Sequence, residues 1–232
     1  MSTPYKTALI VGAGDGLSAS IARTFHKAGL SIALAARNPD KLNNLCAEIN
    51  AQAFSCDAAQ PESVAALFEA VETSVGIPDV VVYNPSARTR GPLVDLNPAD
   101  VEHAIAVTAY GGFLVAQQAV KRMLTLGQGA VLFTGASASV KGYPRSAVFA
   151  MGKFALRGLA QSMARELAPQ NIHVGHFIID GAIRNPGVME SADQPDSLLD
   201  PDAIAQSYLH LLQQHRSAWT WEVELRPWVE RF

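Results

Sequence analysis

A glycine-rich turn that opens a helix is the simplest way for a chain to hold a phosphate, because backbone N–H groups then face the anion with no side chain between. Such a turn stands near the start of this sequence, Val11-Gly12-Ala13-Gly14-Asp15-Gly16-Leu17-Ser18. Its spacing departs from G-x-G-x-x-G, since the third glycine of that pattern falls on Leu17. Position carries the reading instead. The turn follows a short apolar run from Thr7 to Val11 and precedes a segment in which Leu17, Ile21 and Phe25 recur every fourth residue. Strand, glycine turn and helix in that order form the first unit of a dinucleotide-binding fold. About 20 residues further on, such folds carry an acid that bonds the ribose 2′-hydroxyl of NAD and repels a 2′-phosphate. Here that place reads Ala36-Arg37. A planar guanidinium suits a phosphate, so the expected cofactor is NADP(H); NAD is not excluded, because Asp15 in the turn adds an opposing charge.

Other reactive side chains are scattered. His26, His103, His173, His176, His210 and His215 show no H-E-x-x-H or similar spacing. In a strand, the odd step from His173 to His176 puts the two rings on opposite faces, so no metal site is expected. Cys46 and Cys56 form neither a C-x-x-C pair nor a disulfide framework, which fits a reducing cytoplasm.

The elements that must position these groups alternate. Short β-branched or aliphatic runs are expected as strands at 7–11, 31–36, 53–55, 79–83, 130–133, 173–179 and 219–225. Between them lie segments of helical period. Asn38-Pro39, Asn97-Pro98 and Asp200-Pro201 each set a capping side chain before a proline at the first helical position, and further helices are expected at 62–75 and around Phe149, Lys153 and Leu156. The pattern is that of an α/β chain in three layers, a doubly wound and mainly parallel sheet of about seven strands with helices on both faces. No internal repeat or linker divides it, so residues 1–232 are read as a single nucleotide-binding domain.

Composition removes several function classes. Of 232 residues, 49% are hydrophobic and 17% charged, and 18 Lys+Arg against 21 Asp+Glu leave a net charge of -3 with the signs intermixed. Neither a nucleic-acid partner nor an anionic membrane surface is indicated. No apolar run approaches the ~18 residues of a membrane span. The alternating segment from Trp219 to Trp228 presents an aromatic edge that favours a subunit contact.

Taken together, these residues resemble the short-chain dehydrogenase/reductase family over residues 5–227. That family's turn, Thr-Gly-x-x-x-Gly-x-Gly, falls on Val11, Gly12, Gly16 and Ser18, with serine small enough to keep helix and strand close. The resemblance implies a Rossmann fold in which Asp57 and Ala58 meet the adenine. Asn84, in Tyr83-Asn84-Pro85-Ser86, matches the second Asn of Asn-Asn-Ala-Gly, and Ile183, in Asp180-Gly181-Ala182-Ile183, lies in the Pro-Gly-x-Ile position beside the nicotinamide.

For catalysis the resemblance implies a serine, a Tyr-x-x-x-Lys pair stacked on one helix face and an asparagine. Lys153 matches the lysine, which holds the nicotinamide ribose, but the tyrosine position is Phe149 and the asparagine position is Thr108. Ala136 stands at the commonest serine offset and Ser137 one residue later, where its hydroxyl is expected to polarise the substrate. A positioned proton donor is worth ~10²–10⁴-fold in rate, so its replacement matters. Three groups are candidates: Tyr143 in the loop after the serine segment, Asp180 at a strand's carboxyl end, and Lys153 itself. Residues 185–199 take the family's substrate-loop position and are short and polar. The implied function is NAD(P)(H)-dependent hydride transfer to or from a small carbonyl, alcohol or activated alkene by a homo-dimer or homo-tetramer. The alternative is a non-catalytic NAD(P)-binding sensor or assembly subunit.

Overall fold

The structure is a computed structural model and describes residues 3–185, 187, 190 and 192–231. Its sheet follows from aliphatic runs that bury both faces. In β1 (Thr7–Val11) every residue is buried, with Ala8 and Ile10 entering one core and Leu9 and Val11 the other. β2 (Ser31–Ala36), β3 (Gln52–Ser55), β4 (Val80–Tyr83), β5 (Gly129–Thr134), β6 (Ile172–Ile179) and β7 (Glu222–Leu225) complete a sheet ordered β3-β2-β1-β4-β5-β6-β7. Every neighbouring pair is parallel. Residues of α1 (Leu17–Lys27), α2 (Asn43–Ile49) and α7 (Pro201–Leu212) fill one core, and those of α3 (Pro61–Ser74), α5 (Gly111–Leu126) and α6 (Ala147–Leu167) fill the other. The expected three-layer Rossmann architecture is therefore present.

The proline-marked caps form as their chemistry requires. Side chains of Asn38, Asn97 and Asp200 accept from the backbone N–H of Asp40, Ala99 and Asp202. Asn38 opens a 3₁₀ turn (Pro39–Leu42) before α2, whereas Asn97 opens α4 (Pro98–Ile105) directly.

Two features differ from the sequence expectation. The last strand starts at Glu222, not at 219, because side chains claim the residues before it. Gln214 accepts from the Thr220 N–H at 2.8 Å, and the Trp219 ring stacks on His173 at 4.4 Å. The second feature is a π turn (Ala106–Tyr110) between α4 and α5. There the Tyr83 hydroxyl donates to the Val107 carbonyl. At Gly111 a Cβ would lie 2.6 Å from the Ala58 carbonyl oxygen, so glycine lets the helix approach the loop after β3. Such bulges concentrate at functional sites, and this one borders the cleft described next.

β1 and β4 are neighbours in the sheet although β2 and β3 intervene in sequence. This reversal leaves a crevice at the carboxyl ends of the strands, where a parallel sheet binds ligands.

Candidate active site

A cleft of about 730 Å³ occupies that crevice. Each wall is the segment that follows a strand: Val11 to Asp15 after β1, Arg37 and Asn38 after β2, Asp57 and Ala58 after β3, and Asn84 to Ala87 after β4. Of the residues singled out from sequence, Gly12, Gly14, Asp15, Arg37, Asp57, Ala58 and Asn84 line it together. Gly16, Leu17, Ile183 and the catalytic candidates lie off this wall.

The glycine turn is built for close approach. Gly12 has φ +80, and a Cβ there would lie 2.6 Å from the Pro85 nitrogen. Gly14 faces open space. Gly16 precedes α1 and no side chain caps the helix, so its first-turn N–H groups are free of side-chain competition for an anion. A turn in which only glycine fits at position 12, with uncapped amides behind it, suits a dinucleotide phosphate. Ser18, in the family's third glycine position, does more than stay small. Its Oγ donates to the Gly12 carbonyl at 3.0 Å and accepts from Asn84 Nδ2 at 2.7 Å, which ties the turn to the end of β4.

At the end of β2, Arg37 is exposed and forms no ion pair among the described residues. Lys41 joins it on the cleft wall, as does His103 from α4. Sequence reasoning missed both. The signal for Lys41 was a second cation one helical turn beyond Arg37. Asp57 turns one carboxylate oxygen back to the Ala59 N–H at 3.0 Å, which shapes the loop after β3.

On α6, Lys153 is buried and its Nζ donates to the Thr134 carbonyl at 2.7 Å. Burial, reinforced by the charge of Arg88, lowers its pKa to about 7. Phe149 lies one turn earlier, with its ring centre 5.9 Å from Lys153 Nζ and 4.0 Å from the Arg88 guanidinium carbon. Arg88 was also missed, because the motif read in the loop after β4 stops at Ser86. Thr108 accepts from the Ala87 N–H at 3.1 Å and so fixes the backbone that presents Arg88.

Ser137 begins a 3₁₀ turn (Ser137–Ser139), is half-buried, and its hydroxyl has no partner among the described residues. Ser139 is fully buried instead, accepting from the Ala136 N–H at 3.1 Å and meeting His176 Nε2 at 3.4 Å. Tyr143 and Asp180 gather around a different cation. Lys141 Nζ lies 3.6 Å from Asp180 Oδ2 and 5.7 Å from the Tyr143 ring centre, and Arg226 flanks the same carboxylate oxygen at 3.5 Å. Ile183 pairs with Leu199 in an isolated parallel bridge. Within the substrate-loop segment, residues 186, 188, 189 and 191 lie outside the described residues.

Comparison with known proteins agrees with this fold. Residues 6–196 match the short chain dehydrogenase family, and the chain belongs to it. Its class is that of an oxidoreductase with a nucleotide-binding Rossmann fold. The chain is 25% identical to an uncharacterised oxidoreductase of Staphylococcus aureus over 231 residues, covering 96% of this chain and 97% of the relative. It is 28% identical to D-threitol dehydrogenase of Mycolicibacterium smegmatis over 174 residues, covering 73% and 67%. A short-chain dehydrogenase structure from Rhodopseudomonas palustris superposes with a TM-score of 0.83 at 36% identity, covering 96% of this chain and 99% of that one. A metagenomic short-chain oxidoreductase in complex with NADP superposes at 0.84 with 26% identity, covering 97% and 98%.

Proposed function

We propose that this protein is an NADP(H)-dependent oxidoreductase of a small carbonyl or alcohol in which phenylalanine replaces the usual tyrosine and Lys153 handles the proton. One observation carries the reading: the cleft ends in Arg37 and Lys41 with no carboxylate at the end of β2, while a buried lysine stands beside Phe149. The NADP complex of the metagenomic relative supports the same cofactor. Gly12, Gly14 and the amides at Gly16 and Leu17 would hold its pyrophosphate, Asp57 and Ala58 its adenine, and Arg37 and Lys41 its 2′-phosphate. Asn84 and Ile183 would flank the nicotinamide side. Bound NADP(H) supplies or accepts the hydride.

Lys153 carries two tasks in this proposal. Its ammonium form orients the ribose, and its pKa of about 7 lets the same nitrogen give up or take a proton near neutral pH. Ser137 offers its unpartnered hydroxyl to the substrate oxygen. Tyr143 and Asp180 rank behind Lys153 because they meet at Lys141 and Arg226. The protein works in the cytoplasm as a single-domain subunit of a homo-dimer or homo-tetramer.

The test pairs NADPH and NADH titrations with cofactor oxidation over a carbonyl panel, for wild type and Phe149→Tyr. Turnover by the wild type, with less than about a tenfold gain in Phe149→Tyr, supports a non-tyrosine donor. Activity confined to Phe149→Tyr would return the protein to the non-catalytic class.

A further inference from the structure

Arg88 is the cation that the cofactor reading leaves unused. Its guanidinium lies on the face of Phe149, 4.0 Å from the ring centre. It forms neither a hydrogen bond nor an ion pair with any described residue. Its electrostatic neighbours are cations, Arg90 and Lys153. No described carboxylate pairs with it; Asp180 faces Lys141 and Arg226, and Glu222 faces Arg157 and His176. Arg88 and Arg90 are exposed, so water screens part of their repulsion, and an anion that joins Arg88 there is drawn by the same excess of positive charge.

The cofactor's 2′-phosphate already has its cations, because Arg37 and Lys41 stand on the segment after β2, whereas Arg88 follows the Asn84 to Ala87 wall. Arg88 is instead beside the reacting position, since Lys153 Nζ lies 5.9 Å from the same Phe149 ring. The ring supports the guanidinium from one face and leaves its planar N–H edge for two-point bonding to a carboxylate. The backbone behind it is fixed by the bond from Ala87 N–H to Thr108.

We infer that Arg88 is a substrate-binding residue and that the substrate is a short oxo acid or hydroxy acid, its carboxylate on Arg88 and its reacting oxygen toward Lys153. Both cations lie against one aromatic ring, so carboxylate and carbonyl sit close together in one small molecule. This inference rests on the proposed hydride transfer for the reaction and on the Arg88 site for the substrate class.

Two measurements separate these supports. The first compares NADPH oxidation with pyruvate against its neutral counterpart diacetyl, in wild type, Arg88→Gln and Arg88→Lys. The wild type is expected to prefer pyruvate in kcat/KM. Arg88→Gln should cut the pyruvate-to-diacetyl ratio by about 10–150-fold, the value of a charge-assisted pair, and Arg88→Lys should restore part of it. An unselective wild type, or equal loss on both substrates, overturns the inference. The second is calorimetric binding of oxalate to the NADPH-mixed protein, which needs no turnover. Oxalate binding that Arg88→Gln abolishes supports the site even where neither carbonyl is reduced, an outcome that counts against the hydride-transfer reading alone. Absence of oxalate binding to the wild type overturns the anion site.

Discussion

The two ends of the site are made differently. At the carboxyl ends of β1 to β4, recognition rests on backbone: a left-handed glycine, an uncapped helix start and loops shaped by Ser18, Asp57 and Asn84. Around α6 it rests on side chains, where Phe149 and Lys153 of α6 meet Arg88 from the loop after β4. In the proposed function the first end holds the cofactor, and in the second Phe149 stands where a tyrosine is expected, with Arg88 on its ring. Backbone recognition tolerates few substitutions, because any Cβ in the wrong place closes the site. Side-chain chemistry can be rebuilt residue by residue on an unchanged frame.

The sharpest way to break this division is Lys153→Met. Turnover should fall by ~10²–10⁴-fold while NADPH binding, followed by fluorescence titration, falls far less. Retained turnover would place the proton elsewhere, with Asp180 and Tyr143 next to be replaced. Gly12→Ala attacks the other end, since φ +80 and a Cβ 2.6 Å from the Pro85 nitrogen both oppose it. We expect about 1–3 kcal/mol of lost stability in urea unfolding, together with weakened NADPH binding. Arg37→Ala should raise the NADPH dissociation constant by roughly tenfold and leave NADH nearly unaffected. An equal effect on both cofactors would remove the 2′-phosphate from the account.

The last test concerns pH. Lys153 titrates near 10.5 when exposed and at about 7 in the fold. Between those values the unfolded chain binds more protons, so stability rises with pH from 7 to 10.5 and is lowest below that window. Urea unfolding at the two ends of the window should show the rise in wild type and not in Lys153→Met. His176, buried and lowered from 6.5 to about 4, acts in a separate window and loses stability as pH falls through it.

Much of the frame was legible. Strand runs, the three cap-proline pairs and the glycine turn are local signals, each set by residues within a few positions of one another. Much of the cleft wall follows from them, but Lys41 and His103 do not, and Gly16, Leu17 and Ile183 lie off that wall. Other features were hidden because their causes are distant in sequence. The π turn depends on Tyr83 and on the close passage of Gly111 past Ala58. The late start of β7 depends on Gln214 and on the stack of Trp219 with His173.

By itself, the sequence determined the parallel α/β frame, the glycine turn and the placing of Phe149 one helical turn before Lys153, since each is written in residue type and spacing along one element. Only the tertiary structure decided that Arg88 covers that phenylalanine and that Tyr143 and Asp180 gather at Lys141 instead. Those meetings join loops after different strands. Their geometry comes from how parallel strands bring their carboxyl ends to one edge, which no local pattern encodes.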